Sequence, residues 1–240
     1  MFYNGAITYN NVSSSTHGLI VTTPPQVTHS EIYQDRFTIP GKDGDLLGVD
    51  TYRGDAYIKV SFALVTSETS TSYQTALRGI RSWLSGKGTL ILPDGNGSYY
   101  EVKRVTIDTD ERVIINYGIM EATFEVYPYE FMSTAEEAIT TFPITNNYDE
   151  SMPVFWIREP SASGGSGTLT VNGHTLTYTS DPAKALIIDT RRKIAYNTSN
   201  ENKSNTISGD YDDLHLVHGS NTISLTRGVL TVYPQWGYFI

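Results

Sequence analysis

Hydrophobic and polar positions alternate with period two along most of this chain, and one segment alone carries a helical repeat. Ile58, Val60, Phe62 and Leu64 interleave with Tyr57, Lys59 and Ser61, which predicts a strand over 55–66 with the first set facing a core. Before it, Phe2, Tyr3, Ile7 and Tyr9 read as a polar-aromatic strand with Asn4-Gly5 as a tight turn. Ser13–Ser15 reads as loop, and Leu19–Thr22 as a short apolar strand stopped by Pro24-Pro25. After it, Thr89–Leu92 and Ser98–Val102 flank Pro93–Gly97, a hairpin with a five-residue loop. Val105–Asp108, Val113–Tyr117 and Met120–Tyr127 complete an antiparallel meander.

The helical repeat spans Ser72–Ser85. Tyr73, Leu77, Ile80, Trp83 and Leu84 fall at i, i+4, i+7, i+10 and i+11, a single apolar stripe. Ser70 or Thr71 supplies an N-cap, Arg78, Arg81 and Lys87 lie toward the negative end, and Gly86 or Gly88 ends the helix. This helix is expected to close one end of a β-barrel; a partner-binding role for Trp83 is the sharper alternative.

The segment Arg36–Phe62 has the least ordinary pattern. Phe37 and Ile39 end an apolar strand, Pro40-Gly41 breaks it, and Lys42-Asp43-Gly44-Asp45 adds a second turn. Gly48 and a Tyr52-Arg53-Gly54-Asp55 turn precede the next strand. Two strands joined by a long, charged, glycine-rich arm predict either a decorated surface hairpin or an arm clamped against a partner.

From residue 131 the pattern changes to short strands. Phe131–Asn147 is a connector in which Glu136–Ala138 suggests a turn of helix. Strands are then predicted over Met152–Arg158, Gly167–Val171, His174–Thr179, Ala185–Asp189, Lys193–Tyr196, Asp213–Val217, Asn221–Thr226 and Val229–Tyr233, with Asn172-Gly173 as a hairpin turn. Such spacing suggests a β-sandwich. Ser161–Gly167 and Asn197–Asn205 read as surface loops.

Composition narrows the chemistry. The 240 residues suit one large β domain or two modest ones, and the absence of cysteine excludes disulfides and thiolate chemistry. The start of the chain shows no basic, apolar leader pattern, and no run approaches the ~18 apolar residues of a membrane span, so a soluble protein is expected. Net charge is −9, with 10 basic against 15 acidic residues up to position 130 and 7 against 11 beyond it. That balance argues against sequence-independent DNA binding, which needs clustered cations. Around a DNA conduit, an acidic wall would instead repel phosphate.

Candidate sites are few. His215 and His218 would point to opposite faces of a strand, which disfavours a shared metal, and Asp210, Asp212 and Asp213 lack the distal glutamate of a calcium loop. Asp43 and Asp45 read as turn chemistry, and the carboxylate pairs Asp94 with Glu101 and Asp108 with Glu111 as solvated faces. There is no nucleophile elbow, zinc-protease signature or phosphate-binding loop, so no enzyme, metal or cofactor is expected. Tyr178, Tyr196, Tyr211 and Trp236 are the aromatics that a sugar-binding sandwich would expose, which makes a lectin-like adhesion module for host cell-wall glycans the second functional class.

Several pieces occur in an order that resembles a known family: the Pro40–Gly44 turn, the Gly48–Gly54 segment with Tyr52 and the strand after it, and the Ser82-Trp83-Leu84 helix. Then come Thr89–Val102 with Pro93-Asp94 and Tyr99-Tyr100, the Glu121–Pro128 strand, Gly209–Leu214, Gly219–Ile223 and Pro234-Gln235-Trp236. In that order they resemble the distal tail proteins (Dit) of siphophages, the hubs at the tip of long non-contractile tails. The resemblance implies an all-β fold with one helix: an N-terminal split-barrel-like domain over 1–132 and a C-terminal galectin-like or carbohydrate-binding-module-like sandwich over 133–240. It also implies a homo-hexameric ring that joins the tail tube to the tail-associated or fibre protein. Tail-tube protein, tape-measure protein, fibre protein and a receptor-binding protein would be partners, and DNA would pass through the channel without specific binding. The location would be the virion tail tip, after assembly in the host cytoplasm. On this reading Ile39, Pro40, Gly41, Lys42, Asp43, Gly44, Tyr52, Arg53, Gly54 and Tyr57 form the inter-subunit clamp.

Overall fold

The structure, a computed structural model, describes residues 5–65, 70–95, 97–114, 117–159, 164–181 and 184–240. The chain forms two compact units, Met1–Glu130 with Phe239–Ile240, and Phe131–Tyr238.

The first unit opens with β1 (Thr8–Tyr9) and β2 (Val12–Ser13), joined by Asn10 and Asn11 at φ 51° and 63°. Two successive left-handed residues make a two-residue hairpin turn, and asparagine tolerates that conformation better than most side chains. The sequence pointed to Asn4-Gly5 instead; Asn4 lies outside the described residues. Ser13–Ser15, read as loop, enters a 3-10 turn over Ser14–His17, with Ser13 Oγ accepting the Ser15 N–H.

The chain continues through β3 (Leu19–Val21), β4 (Gln26–Thr28), β5 (Ile32–Phe37), β6 (Leu46–Arg53), β7 (Ala56–Val65), helix α1 (Ser70–Trp83), β8 (Gly88–Ile91), β9 (Ser98–Ile114) and β10 (Tyr117–Met132). Apart from β5 and β6, these strands make one sheet in the order β2-β1-β8-β9-β10-β7-β3, with β4 also on β7. Gly5 bridges Val21 of β3, while Thr8 pairs with Ile91 of β8. One short stretch thus joins both edges, and the sheet curls into a barrel.

Alternation on β7 is as read: Ile58, Val60, Phe62 and Leu64 are buried, opposite Phe124, Ala122, Met120 and Gly118 of β10. Where the sequence suggested three short strands after Val102, two strands of 17 and 16 residues run on. The polar stretches that looked like breaks stay in the sheet because they are matched across strands. Arg104 pairs with Glu125 at 2.6 Å, and Asp108 accepts from the Thr123 hydroxyl.

Helix α1 buries Tyr73, Leu77 and Ile80, followed by Leu84, against this core. Trp83 is partly buried there as well, and its indole N–H donates to Tyr9 O at 3.1 Å. It is a packing residue with a polar tether, which answers the alternative of a partner-binding tryptophan. Gly86 at φ 83° ends the segment.

The second unit holds β11 (Ile144–Asn146), β12 (Val154–Arg158), β13 (Gly165–Val171), β14 (His174–Ser180), β15 (Ala185–Asp189), β16 (Ile194–Asn197), β17 (Ile207–Ser208), β18 (Gly219–Asn221), β19 (Ile223–Leu225) and β20 (Val229–Tyr233). Two four-stranded antiparallel sheets, β16-β15-β12-β20 and β17-β14-β13-β19, form a sandwich. Their buried residues include Phe155, Ile157, Ile188 and Val232 on the first sheet, and Leu169, Val171, Leu176 and Tyr178 on the second. β21 (Gly237–Phe239) pairs with β10, and Ile240 joins the barrel core, its carbonyl accepting from Ser30 N–H at 2.9 Å.

Two local expectations fail. Asp213–Val217 is not a strand: Asp212–Leu214 is a 3-10 turn, followed by a bridge of Leu216 to Ser151. The Asp210 carboxylate accepts the Asp212 N–H at 3.0 Å, and this local turn chemistry outweighs strand propensity. At Glu136–Ala138 there is a hydrogen-bonded turn rather than helix, with Glu137 N–H donating to Thr134 O at 3.1 Å.

Candidate assembly surface

The segment that the sequence singled out is a ribbon. β5 and β6 pair antiparallel from Ile32 opposite Arg53 to Phe37 opposite Leu46, with a register irregularity between Gln34 and Arg36. At ~3.3 Å per residue the paired region is roughly 17 Å long. The arm is therefore not a long loop after Pro40: Leu46–Arg53 is strand, and only Thr38–Asp45 forms the tip. Tyr52 and Arg53, read as part of a turn, end β6, while Ile39 lies beyond β5. The sequence hid this strand because its apolar residues do not alternate against one core.

Among the described residues, β5 and β6 pair with each other and with no other strand. The side chains lie open: Ile32 is 58% exposed, Phe37 56%, Leu47 58% and Tyr52 68%. Tyr33, Ile39 and Leu46 are exposed too. Tyr33 and Tyr52 stack across the strands at 5.2 Å, whereas Ile32 and Leu47 lie at positions of opposite parity, opposite Arg53 and Arg36. A two-stranded hairpin is marginally stable in water by itself. This one presents apolar side chains on both faces, and neither strand pairs with a further strand among the described residues.

Local chemistry shapes its two ends. At the tip, Thr38 Oγ1 donates to Asp45 Oδ1 at 2.8 Å, Lys42 N–H donates to Ile39 O at 3.1 Å, and Gly41 and Gly44 sit at φ 83° and 78°. A left-handed residue at both places favours glycine. At the base, Gly54 N–H donates to Glu31 O at 2.8 Å, and a Cβ at Gly54 would lie 2.6 Å from the Tyr33 ring. The Arg53 guanidinium lies 4.1 Å over the Phe239 ring. The Glu31 carboxylate pushes the Tyr33 phenol above its ordinary value.

The ten residues read from sequence as one clamp thus divide. Ile39, Pro40, Gly41, Lys42, Asp43 and Gly44 form the tip, Tyr52 and Arg53 the far end of β6, and Gly54 the link to β7. Tyr57 is not on the ribbon; it stands 45% exposed on the outer face of β7, opposite Glu125 and Thr28. Sequence reading missed Ile32, Tyr33, Leu46 and Leu47, which carry much of the exposed apolar surface. The signal for them was a strand-like run with no clean polar face.

Elsewhere the barrel's outer face carries matched charges. Lys59 Nζ is 2.7 Å from Glu121, whose carboxyl is held below its ordinary value by the Lys59 hydrogen bond. Arg81 pairs with Asp110 and Lys103 with Asp55. No cluster of three metal-ligating side chains occurs among the described residues. His215 and His218 do not share a strand; their Nδ1 atoms lie 2.7 Å and 3.0 Å from the carbonyls of Asp212 and Tyr148. The aromatics proposed to be exposed are mostly not. Tyr178 is 1% and Trp236 7% exposed, and Tyr196 and Tyr211 are half-buried. Burial pushes the Tyr178 phenol up to about 12, and its hydroxyl donates to Arg227 O.

No protein-family model and no curated protein matches the chain. Solved structures do. The crystal structure of the Dit (gp 19.1) protein of phage SPP1, described as a paradigm of the hub adsorption apparatus in phages infecting Gram-positive hosts, superposes with a TM-score of 0.67 at 13% identity, covering 95% of this chain and 96% of that one. A chain of the phage P2 baseplate in its activated conformation with calcium gives 0.52 at 9% identity, covering 96% and 97%. Identity this low carries fold and not chemistry. Across nearly its whole length, this chain has the fold of the SPP1 Dit protein.

Proposed function

We propose that this chain is a structural hub of a phage tail tip, built to join other tail proteins. The observation that carries this reading is the β5–β6 ribbon, whose exposed apolar faces and open edges suit burial against another protein. The likeness in fold to a protein described as an adsorption-apparatus hub supports it.

In this reading, copies of the barrel close into a six-membered ring around a channel, in a long non-contractile tail. The ribbon of one subunit docks on a different patch of the next, because a heterologous contact of that kind closes rings. One face of the ring meets the tail-tube protein. The other meets the tail-associated or fibre protein, with tape-measure and receptor-binding proteins as further partners. The role is mechanical rather than catalytic. The net charge of −9 suits passage of DNA through the ring without adhesion.

Light scattering at several concentrations, with negative-stain images of the heaviest species, tests the ring. The native chain is expected to give six-fold particles with a central hole. A variant with Tyr33–Tyr52 replaced by a short Gly-Ser turn is expected to stay monomeric, with barrel melting unchanged. Rings formed by that variant would refute the clamp. A native chain that stays monomeric at every concentration, alone and with tail-tube protein, would refute the ring.

A further inference from the structure

At the edge of the sandwich, β16 runs into the loop Thr198–Asn202, which is fastened with unusual completeness. Asn197 is 1% exposed, and both ends of its amide are used twice. Its Oδ1 accepts the N–H groups of Ser199 at 2.9 Å and Glu201 at 3.1 Å. Its Nδ2 donates to Asp181 Oδ2 at 3.0 Å and Glu201 Oε2 at 2.6 Å. Lys203 Nζ lies 2.8 Å from Asp181, and Lys203 N–H donates to Ala195 O at 2.7 Å. Asn200 is held at φ 58° at the crest. An isolated Asx turn needs one of these bonds. The full set removes the loop's freedom before anything binds, which is what a preorganised recognition loop requires.

The loop forms one wall of an open pocket of about 360 Å³, lined by Arg192, Ile194, Ala195, Tyr196, Asn200 and Asn202. Pockets of 300–1,000 Å³ suit small ligands. The Asn202 carbonyl is taken by Ser204 N–H at 2.8 Å, which leaves its amide protons without a protein acceptor among the described residues. The side-chain amide of Asn200 and the Tyr196 phenol likewise have no protein hydrogen-bond partner among them. The Arg192 guanidinium lies 3.6 Å from Asp189, so its donors come with a compensated charge. Ile194 adds an aliphatic wall at 38% exposure.

An aromatic ring and an aliphatic wall accept the C–H face of a pyranose, while planar amides and a guanidinium fork bracket vicinal hydroxyls. The compensated arginine, in a half of the chain with 7 basic and 11 acidic residues, disfavours an anionic ligand. We propose that this pocket binds a neutral saccharide through one hexopyranose unit. The inference stands on the sandwich alone and does not depend on the ribbon or on ring formation.

Saturation-transfer NMR on the full chain tests it, using the methyl β-glycosides of glucose, galactose and N-acetylglucosamine at millimolar concentration. At least one is expected to receive saturation on its ring C–H protons. That transfer should fall at least fivefold in Tyr196→Ala, which removes the ring, and in Asn200→Gly, which keeps the left-handed backbone and removes the amide. Far-UV circular dichroism and particle mass, unchanged in Asn200→Gly, would show that the loss is local. No transfer to any of the three glycosides, or equal transfer to both variants, would overturn the proposal and leave the fastened loop as a cap for an edge strand. Because particle mass is read on the same samples, failure of the sugar site and failure of the ring are separate results.

Discussion

Two hairpins in this chain are built from similar β-forming residues and end in opposite environments. In β13–β14, Leu169, Val171, Leu176 and Tyr178 face inward, while Ser166, Thr168, Thr170, Thr175, Thr177 and Thr179 face out. In β5–β6 the residues on both faces lie open, from Ile32 and Tyr33 to Leu47 and Tyr52. A strand's alternation records the single core that it covers. When the partner is another chain, or lies on both sides, the record becomes irregular. The ribbon's strand character is intact; what it lacks, among the described residues, is a third strand to pair with.

Stability should divide the two most sharply. Phe155→Ala, in the sandwich core, is expected to cost about 3–5 kcal/mol in denaturant unfolding, because it leaves a cavity among buried neighbours. Phe37→Ala on the ribbon should stay within about 0.5 kcal/mol in the monomer, since that side chain is 56% exposed. A ribbon substitution as costly as the core one would show that the hairpin packs on its own chain.

Loop anchoring gives a smaller contrast. Three buried asparagines, Asn146, Asn197 and Asn221, fasten loops of the sandwich. Asn221 accepts from Val217 N–H at 2.9 Å and donates to the carbonyls of Val217 at 2.8 Å and Gly219 at 3.0 Å. Asn221→Ala should cost about 1–3 kcal/mol, the penalty for leaving buried backbone groups unpaired. Chemical unfolding of that variant would measure it. A cost below 0.5 kcal/mol would mean that water replaces the amide at once.

The smallest effect is in pH. The hydrogen bond from Lys203 and then that from Asn197 hold Asp181 below its ordinary 3.8, and the Asn197 and Lys184 hydrogen bonds hold Glu201 below its ordinary 4.5. Carboxyl groups with lowered values stabilise the fold above their unfolded values, and the contribution fades as pH falls through the folded ones. Hydrogen exchange of the Thr198–Asn202 amides, corrected for intrinsic rates, should therefore lose protection as the pH falls below the ordinary values of 4.5 and 3.8 and through the lowered ones. The Asn172-Gly173 turn carries no ionisable side chain, and its protection should stay flat. Equal loss in both loops would point to global acid unfolding.

Where one core dictates the pattern, the sequence was legible. The β7 alternation, the helix stripe of Tyr73, Leu77 and Ile80, and the Asn172-Gly173 turn at φ 50° and 90° follow from periodicity and turn chemistry alone. β15 and β20 lie at the predicted bounds. Legibility ended where a distant residue supplies the stabilising partner. The polar middle of β9 looked like a break because Glu125 and Thr123, which match it, come 15 to 21 positions later. Leu46–Arg53 looked like loop because Leu46, Leu47 and Tyr52 lie open rather than alternating against one core.

The candidate sites follow the same rule. Gly41 and Gly44 announced the ribbon's tip, because a left-handed turn restricts residue type locally. Ile32 and Leu47 gave no such notice, since exposure is a property of the folded molecule. Nor could sequence show that the Asn197 side chain is buried and fully bonded while the Asn200 side chain, three residues on, is exposed with no hydrogen-bond partner among the described residues. Local sequence determined the turns, the helix and the strand-rich class, because those depend on residues a few positions apart. Tertiary structure decided which strands run on, which aromatics are covered and which hairpin is left without a partner, because burial and pairing depend on what the chain brings back from far away.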